Sequence, residues 1–220
     1  MKQKIIVVGF KGKMGSVVFE KLLGKGFDVV GIDVNDNLFE HKHADLLIDF
    51  SSPKNTALIA RWCLQTKTRL IVGTTGQSED ELNSILSLSD KVPIMKESNF
   101  SAGIAKIKNA LNVIVDDSAE NIAILEKHHK EKKDCPSGTA LMLKDYISNL
   151  SSQKIEIFAE RSGDEVGIHS INVHFENEVI SITHKAFSRE CFADGAVLAV
   201  EFLLKQTKPR QYYFEEIFVN

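Results

Sequence analysis

Residues 126–140, EKHHKEKKDCPSGTA, place two histidines, several lysines and three acids directly before the signature of a helix start. An imidazole titrates near neutral pH, at about 6.5, so His128 can deliver a proton to a substrate. Adjacent residues of an extended segment point to opposite sides, and His128 and His129 are therefore expected to have different roles. A charge run of this kind is also typical of a solvated loop, which is the alternative interpretation.

Residues 136–139, PSGT, predict the first turn of a helix, with Asp134 or Ser137 as the candidate N-cap. The first amides of a helix have no partner within it and favour an anion such as a carboxylate. In this segment those amides belong to Gly138 and Thr139. The stretch therefore predicts a proton donor beside a carboxylate-binding helix start.

Several side chains of the same stretch admit more than one role. Lys132 places a positive charge beside the helix start, where it can bind an anion. His129 can instead bond a backbone carbonyl, and Glu126 can be an acid at the edge of the core that pairs with a lysine. Cys135 lies among basic residues that can activate a thiol, but we interpret it as a small packed residue.

The histidines also raise the question of a metal centre. They form no HxxxH pair on a helix, and no cysteine stands at ligand spacing from them, so we expect no metal site. The histidines considered are His128, His129, His169, His174 and His184.

A second group of chemical signals lies at the first strand-to-helix junction, VGFKGKMG (residues 8–15). Glycines there let the backbone approach a pyrophosphate, whose charge then rests on the amides of the next helix. The spacing departs from the usual GxGxxG because Lys11 replaces the second glycine, and a glycine-rich turn without a ligand is the alternative. Asp33 follows about 20 residues later, where an acid bonds ribose hydroxyls. Asp33 favours NADH over NADPH by repulsion, whereas Lys11 and Lys13 can attract the 2′-phosphate, so the preference stays open.

Two further loops, DFSSP and GTTG (residues 73–76), follow the third and fourth predicted strands. The carboxyl ends of parallel strands form the edge at which open α/β sheets bind ligands. Small and hydroxyl residues there suit a nicotinamide and its ribose, although the same residues are common in ordinary turns.

Strand and helix patterns alternate through the first hundred residues. Apolar runs such as KIIVVGF and TRLIVGTT are typical of strands buried on both faces, and NTALIARWCLQ has helical periodicity. Such alternation predicts an α/β, Rossmann-type domain with a parallel sheet. After residue 100 follow a long helix, the strand NIAILE, the charged stretch, a helix, β-rich segments around IHSINVHF and EVISITHKAF, and a final helix. This second pattern predicts an α+β domain, and SNLSSQK is the only linker-like stretch.

Composition and charge exclude several classes of protein. The 220 residues are 43% hydrophobic, which suffices for one large domain or two modest ones. A net charge of -3 gives no basic surface for nucleic acid, and no apolar run approaches the ~20 residues of a membrane span. The chain begins without a signal-peptide pattern, and Cys63, Cys135 and Cys191 form no CxxC pair. A cytoplasmic protein with reduced thiols is expected.

Several segments, in this order, closely resemble the dihydrodipicolinate reductase family of diaminopimelate and lysine biosynthesis. They are GFKGKMG, DFSSP, GTTG, SNFSAG, EKHHKEKKDCPSGTA, GIHSI and ITHKAFSRECFADGA, and they cover nearly the whole chain. The most specific element consists of Glu126, His128, His129, Lys132, Asp134, Pro136, Ser137, Gly138 and Thr139. The resemblance implies NADH- or NADPH-dependent reduction of 4-hydroxy-tetrahydrodipicolinate to tetrahydrodipicolinate. The 4-hydroxyl group leaves as water, a hydride is added at C4 of the conjugated ring and a proton at C3.

The resemblance also implies roles for individual residues. His128 is expected to be the acid and Lys132 a second proton donor. The expected substrate ligands are His129, Ser137, Gly138, Thr139 and Arg189. The residues expected to bind the cofactor are Gly9, Phe10, Lys11, Gly12, Lys13, Met14, Asp33, Phe50, Gly73, Thr74, Thr75, Ser98, Asn99 and Phe100.

We expect residues 1–100 and 190–220 to form the dinucleotide-binding domain, and residues 101–189 to form a substrate-binding and oligomerisation domain. The resemblance implies that the domains close on their ligands. It also implies a tetramer built from strands of the second domain, but the segment between Ile171 and Ile182 is shorter than the family's hairpin. A homo-oligomer is therefore expected, with dimer and tetramer both open.

Two other functions are compatible with these patterns. One is a different Rossmann dehydrogenase that acts on an amino or imino acid. The other is a catalytically silent nucleotide-binding sensor, although a sensor has no need of His128, Lys132 and the PSGT segment.

Overall fold

The computed structural model describes residues 2–219, which divide into two compact units. Unit 1 contains residues 2–100 and 192–217, and unit 2 contains residues 101–191 and 218–219. The expected second boundary, at residue 190, lies two residues earlier than this one. Residues 218–219 belong to unit 2, not to the dinucleotide-binding unit as expected.

The regular elements are numbered along the chain. The strands are β1 (Lys4–Val8), β2 (Asp28–Ile32), β3 (Leu46–Asp49), β4 (Arg69–Val72), β5 (Ile94–Lys96), β6 (Asn121–His128), β7 (Lys154–Arg161), β8 (Gly167–His174), β9 (Val179–Ala186) and β10 (Gln211–Tyr212). The helices are α1 (Lys13–Gly24), α2 (Thr56–Thr66), α3 (Glu79–Leu86), α4 (Ala102–Ile114), α5 (Gly138–Ser148) and α6 (Glu190–Leu203).

Unit 1 is built on a six-stranded parallel sheet with the strand order β10-β5-β4-β3-β1-β2. Most residues of β1, β3 and β4 are buried, which explains why these strands appear in the sequence as continuous apolar runs. The C-terminal strand β10 pairs with β5 at the edge of the sheet. This architecture confirms the predicted Rossmann-type fold.

Unit 2 contains a four-stranded mixed sheet with the order β7-β6-β8-β9. Strands β6 and β7 are parallel, whereas β8 is antiparallel to both of its neighbours. Alternate residues of β6 and β8 are buried. The apolar ones, such as Ile124 and Ile171, form a core with residues of α4 and α5. Toward the His128 end of β6, the same face of the sheet carries polar side chains instead.

Two strands were not predicted from the sequence. Strand β7 begins at Lys154, the last residue of the linker-like SNLSSQK, and the two-residue β10 is too short to give a pattern. Strand β6 also extends two residues beyond the predicted NIAILE, to His128. His128 therefore belongs to a strand and not to the charged loop.

The β8–β9 hairpin is regular. Its two strands pair over eight residues each, and residues 175–178 form the turn, in which the Phe175 amide donates to the Glu178 carbonyl at 2.9 Å. In the part of the chain that the structure describes, no helix combines the length and the apolar character that a bilayer span requires.

Candidate active site

The carboxylate of Glu126 is the centre of the polar cluster in unit 2. Its side chain is fully buried, and each of its oxygens accepts hydrogen bonds. The guanidinium of Arg161 donates to both oxygens, at 2.7 and 2.9 Å. The amide of Ser137 donates at 3.0 Å, and Nδ1 of His128 bonds the oxygen Oε2. Burial alone would raise the pKa of Glu126, but the hydrogen bonds from Arg161, Ser137 and His128 hold it below its usual range.

This arrangement decides how His128 is protonated. A carboxylate bound by a guanidinium can only accept hydrogen bonds, so Nδ1 of His128 carries a hydrogen and Nε2 is the nitrogen available to a substrate. Gly167 leaves room there, because a Cβ at this residue would lie 2.9 Å from Nε2. Burial lowers the pKa of His128, and although Glu126 opposes this effect, the net pKa stays below its ordinary value.

The start of α5 lies beside this cluster. The Ser137 hydroxyl caps the helix by accepting the Ala140 amide at 3.2 Å, so Ser137, and not Asp134, is the N-cap. The Asp134 carboxylate instead pairs with Nζ of Lys132 at 2.9 Å. The Lys132 bond, with a smaller contribution from the Gly138 amide, keeps the pKa of Asp134 below its usual range. Lys132 and the start of α5 therefore already bind one carboxylate, that of Asp134.

Other predicted substrate ligands differ in their placement. His129 is half-buried, and its amide donates to the Glu165 carbonyl at 2.8 Å. Thr139 is half-buried in the first turn of α5. Arg189 is exposed in the segment between β9 and α6, and within residues 2–219 it has no hydrogen bond to the Glu126 cluster.

Two more histidines, the buried His169 and the half-buried His184, extend the polar face across the sheet. Glu126, His169 and His184 are direct neighbours on β6, β8 and β9. Nε2 of His169 lies 3.1 Å from the Ser137 hydroxyl, and Nε2 of His184 lies 3.0 Å from the hydroxyl of Ser101. Each of these serines caps a helix, so the two histidines tie the starts of α5 and α4 to the sheet.

The cluster does not suit a metal ion, although Glu126, His128 and His169 each place a ligand atom within 4.8 Å of the others. Both oxygens of Glu126 are occupied by the Arg161 guanidinium, and His128 uses Nδ1 for the same carboxylate. A cation would have to displace the guanidinium or lie next to it. We therefore interpret the cluster as a hydrogen-bonded network.

Arg161 and Gly167 were not predicted as site residues from the sequence. Arg161 lies 35 residues after Glu126, on the strand that was not predicted, and parallel pairing places it opposite His128. Gly167 belongs to the GIHSI segment, but the space it leaves beside His128 depends on pairing between strands. The alternative pairing of Glu126 with a lysine was wrong, because its partner is an arginine. The interpretation of Cys135 as a packed residue was also wrong, because Cys135 is exposed.

Because His169 is buried, we expect the protein to lose stability at acidic pH. Burial, aided by the nearby His128, lowers the pKa of His169 from 6.5 to about 4. Between these values the unfolded chain binds more protons than the folded chain. The free energy of unfolding is therefore largest above pH 6.5 and falls as the pH drops toward 4, by about 3 kcal/mol at most for this one group.

Urea unfolding of the wild type and of His169→Gln between pH 7.5 and 5 measures this effect. We expect the variant to lose less stability than the wild type over this pH range, because it lacks the titrating group. His174→Gln, on the same strand but half-exposed, is the control and should keep the wild-type pH dependence. Equal slopes in His169→Gln and the wild type would contradict the assignment.

The glycine loop of unit 1 has the geometry of a phosphate-binding turn. Gly9 has a φ of +80°, which favours glycine, and a Cβ there would lie 2.6 Å from the Phe50 carbonyl oxygen. The Gly12 amide donates to the Gly9 carbonyl at 2.9 Å, and Gly12 caps α1 without a side-chain bond. The start of α1 is thus free of a capping side chain, as a phosphate-binding helix start requires.

Asp33 lies next to this loop. Its carboxylate accepts the Lys11 amide at 3.1 Å and the Val34 amide at 2.7 Å, and its own amide donates to the Asp36 carboxylate at 2.8 Å. The Lys11 ammonium lies 5.6 Å from the centroid of the Phe10 ring. Asp36, a second acid in the loop after β2, was not among the predicted residues.

A cavity of about 430 Å³ brings several predicted cofactor residues of unit 1 together. Gly9, Gly12, Asp33 and Phe50 line it, together with Asp36. The size and the lining of the cavity fit the adenosine portion of a dinucleotide. Lys11, Lys13 and Met14 lie on the glycine loop or the first turn of α1 next to it.

The remaining predicted cofactor residues lie after β4 and β5. Thr74 is buried, and its amide and hydroxyl both bond the Asp49 carbonyl, at 3.1 and 3.4 Å. The Phe50 ring packs against Gly73 and, edge to face, against the buried Phe100. Thr75 and Ser98 are exposed, and Asn99 is half-buried. Phe100 therefore supports this edge of the sheet by packing.

The glycine loop on a parallel sheet, together with the buried Glu126–His128 cluster in a second unit, is typical of a two-unit Rossmann-type oxidoreductase. Two family models match consecutive parts of the chain: "Dihydrodipicolinate reductase, N-terminus" over residues 3–100 and "Dihydrodipicolinate reductase, C-terminus" over residues 103–218. The chain belongs to the dihydrodipicolinate reductase family. It is an oxidoreductase of lysine biosynthesis, which confirms the class that the sequence resemblance implied.

Individual relatives agree with this assignment. The chain is 35% identical over 215 residues to the 4-hydroxy-tetrahydrodipicolinate reductase of Thermosipho africanus, covering 96% of this chain and 95% of the relative. It is 37% identical over 253 residues to the enzyme of the same name from Caldanaerobacter subterraneus, covering 99% and 98%. Among solved structures, the dipicolinate-bound dihydrodipicolinate reductase from Paenisporosarcina sp. TG-14 has the same fold. Its TM-score is 0.82 at 20% identity, covering 99% of this chain and 100% of that one.

Proposed function

We propose that the protein reduces 4-hydroxy-tetrahydrodipicolinate to tetrahydrodipicolinate with a nicotinamide cofactor. The observation that carries the proposal is the juxtaposition in unit 2 of a proton donor and a carboxylate-binding helix start. His128 is held by Glu126, and the same carboxylate accepts the amide of Ser137, the N-cap of α5. Reduction of a cyclic dicarboxylate requires a proton donor and a carboxylate-binding group close to each other.

His128 supplies the proton in this proposal. The protonated imidazole gives up the hydrogen on Nε2 to the ring carbon, while the hydrogen on Nδ1 remains bonded to Glu126. Because burial keeps the pKa of His128 low, its protonated form is a stronger acid than a free imidazolium. At higher pH a smaller fraction of His128 is protonated. The rate should therefore fall as the pH rises through this pKa.

Lys132 and the start of α5 bind a substrate carboxylate. Asp134 now interacts with Lys132 and, more weakly, with the Gly138 amide, and a substrate carboxylate of the same charge and shape can replace it there. Thr139 and His129 complete the proposed ligand set. The family resemblance assigns Arg189 to the same ligand set.

The glycine loop and Asp33 hold the dinucleotide. The uncapped start of α1 binds the pyrophosphate, and Asp33 accepts hydrogen bonds from the ribose. Residues at the ends of β4 and β5 complete the site on the nicotinamide side. When bound, the nicotinamide supplies the hydride.

The preference between NADH and NADPH follows from the charges around the ribose site. Asp33 and Asp36 both line the cavity and repel a 2′-phosphate, whereas Lys11 on the glycine loop and Lys13 at the start of α1 are exposed. We expect Asp33→Ala to shift kcat/KM toward NADPH, and Lys13→Ala to weaken NADPH more than NADH. Exposed charges are screened, so each change should be between a few-fold and ~100-fold and smaller at high salt.

Kinetics with both cofactors, at two salt concentrations, test this prediction. Lys25→Ala, which removes an exposed lysine at the far end of α1, is the control and should leave the ratio unchanged. If Asp33→Ala keeps the wild-type preference, Asp33 does not face the ribose.

A second copy of the chain is the expected protein partner. Leu125 and Phe158 are neighbours on β6 and β7, and both are largely exposed. Large apolar side chains exposed side by side on a sheet favour contact with another protein surface. Together with the family resemblance, this supports a homo-oligomer, either a dimer or a tetramer, formed through unit 2.

The cytoplasm is the proposed location. Cys63, Cys135 and Cys191 are all free thiols, which suits a reducing compartment.

A coupled assay with freshly generated substrate tests the proposed function. Oxidation of NADH or NADPH that depends on 4-hydroxy-tetrahydrodipicolinate is the expected result. A 2-keto acid with ammonia is the control substrate, because activity there would indicate a different amino-acid dehydrogenase. Cofactor binding without turnover of either substrate would indicate a sensor and overturn the proposal.

A further inference from the structure

The Glu126 carboxylate binds two partners at once, the guanidinium of Arg161 and the imidazole of His128. Both oxygens of a fully buried carboxylate face one guanidinium whose side chain is 15% exposed, and the same carboxylate also holds the proton donor His128. A carboxylate next to an imidazole stabilises the charged form of that imidazole, whereas a guanidinium next to it does the opposite. The two partners therefore act on His128 with opposite sign.

Charged or titratable groups face His128 from its own strand, from both neighbouring strands and from the loop that follows. On its own strand lies Glu126, on β7 lies Arg161, and on β8 lies His169, whose ring is 5.1 Å from that of His128 between centroids. Lys132 lies in the loop that follows; its ammonium pairs with Asp134 and, like Arg161, lowers the pKa of His128. His169 is neutral near pH 7, because its pKa is about 4. Glu126 is thus the negative charge in direct contact with His128.

Arg161 also fixes the loop that carries Lys132. Its Nη2 atom donates to the Asp134 carbonyl at 2.6 Å, in addition to the carboxylate of Glu126. One guanidinium therefore connects the residue that orients His128 to the backbone of the substrate-binding loop.

We propose that Glu126 and Arg161 are positioning residues for proton delivery: Glu126 holds His128 with Nε2 toward the substrate, and Arg161 limits the pull of Glu126 on the proton. Without Arg161, the carboxylate would retain the imidazolium too strongly. Without Glu126, the imidazole would lose its orientation and would be protonated only at lower pH. The inference rests on the proposed function in one respect, since it takes His128 as the proton donor.

The test compares Glu126→Gln with Arg161→Met by NMR titration of the His128 ring in the substrate-free protein. The signal is assigned by its absence in His128→Gln. We expect the titration midpoint of His128 to move down by about one pH unit in Glu126→Gln and up by about one unit in Arg161→Met. Glu160→Gln, an exposed acid next to Arg161 on β7, is the control and should leave the midpoint unchanged.

The pH profile of kcat/KM provides a second readout. Because His128 must be protonated to act, the falling limb should move to lower pH in Glu126→Gln and to higher pH in Arg161→Met. A purely structural role would reduce kcat in both variants without shifting the limbs in opposite directions. Arg161→Lys keeps the charge but not the paired donors, so it should hold the midpoint near that of the wild type and lower kcat several-fold.

Shifts of the same sign, or no shift, would overturn the inference. Glutamine has nearly the same shape as glutamate, so Glu126→Gln is expected to fold. If Arg161→Met does not fold, an unchanged or raised His128 midpoint in Glu126→Gln is by itself sufficient to reject the inference. The NMR titration needs no turnover. Failure of the proposed function would appear separately, as no oxidation of NADH or NADPH by the wild type with 4-hydroxy-tetrahydrodipicolinate, and it would leave the NMR titration unchanged.

Discussion

Replacing His128 by glutamine lowers kcat by about 10²- to 10⁴-fold and leaves KM nearly unchanged, as expected for the loss of a general acid. His128 bonds Glu126 through Nδ1, and Gly167 leaves space at Nε2. Glutamine can occupy much of the imidazole volume but cannot carry a titrating proton. Substrate binding through Lys132 and the start of α5 remains, which is why KM is spared.

Steady-state kinetics of the variant across pH 6 to 9 measure this effect. His174→Gln removes a histidine from β8, in the same sheet, and should retain wild-type kcat. A His128→Gln enzyme with near-normal kcat would remove His128 from the mechanism.

Replacing Lys132 by methionine lowers kcat/KM by about 100-fold, because a charge-assisted bond to a carboxylate contributes roughly 1.5–3 kcal/mol and the proposed second proton donor is lost as well. Lys132 is partly buried and already pairs with the Asp134 carboxylate at 2.9 Å. Methionine keeps the length of the apolar stem but leaves no cation for the substrate.

Thermal unfolding with 2,6-pyridinedicarboxylate separates binding from chemistry. This planar dicarboxylate should inhibit the wild type competitively and raise its Tm, because it binds the folded protein. Lys132→Met should lose most of the Tm increase, whereas Lys133→Met, at the exposed neighbouring lysine, should keep it. Equal protection of both variants would show that Lys132 does not bind the carboxylate.

Some features of the site depend on residues close together in the sequence, and others depend on residues that only the fold brings together. The start of α5 was predictable because capping involves residues only three apart, as in the bond between Ser137 and the Ala140 amide. The sequence left Asp134 and Ser137 as equal candidates for the N-cap. The choice depends on where Lys132 and Glu126 lie, since the first engages Asp134 and the second binds the Ser137 amide.

Unit 1 also combines features that sequence patterns predict with features that they do not. The parallel sheet was predictable from buried strands that alternate with helices, and the glycine loop from its position between β1 and α1. Asp36 was missed although it is only three residues from Asp33, because no known motif marks the turn after β2 that brings the two together.

The sequence alone determined the Rossmann-type architecture, the family and the residues of the EKHHKEKKDCPSGTA stretch, because each of these depends on local patterns or on the order of motifs. Only the tertiary structure decided which groups control His128. Arg161 and Gly167 come from strands that are distant in the sequence, and sheet pairing places Arg161 directly opposite His128. A buried carboxylate needs partners, and the pairing of strands that are distant in the sequence, which a local pattern does not specify, decides which residues those are.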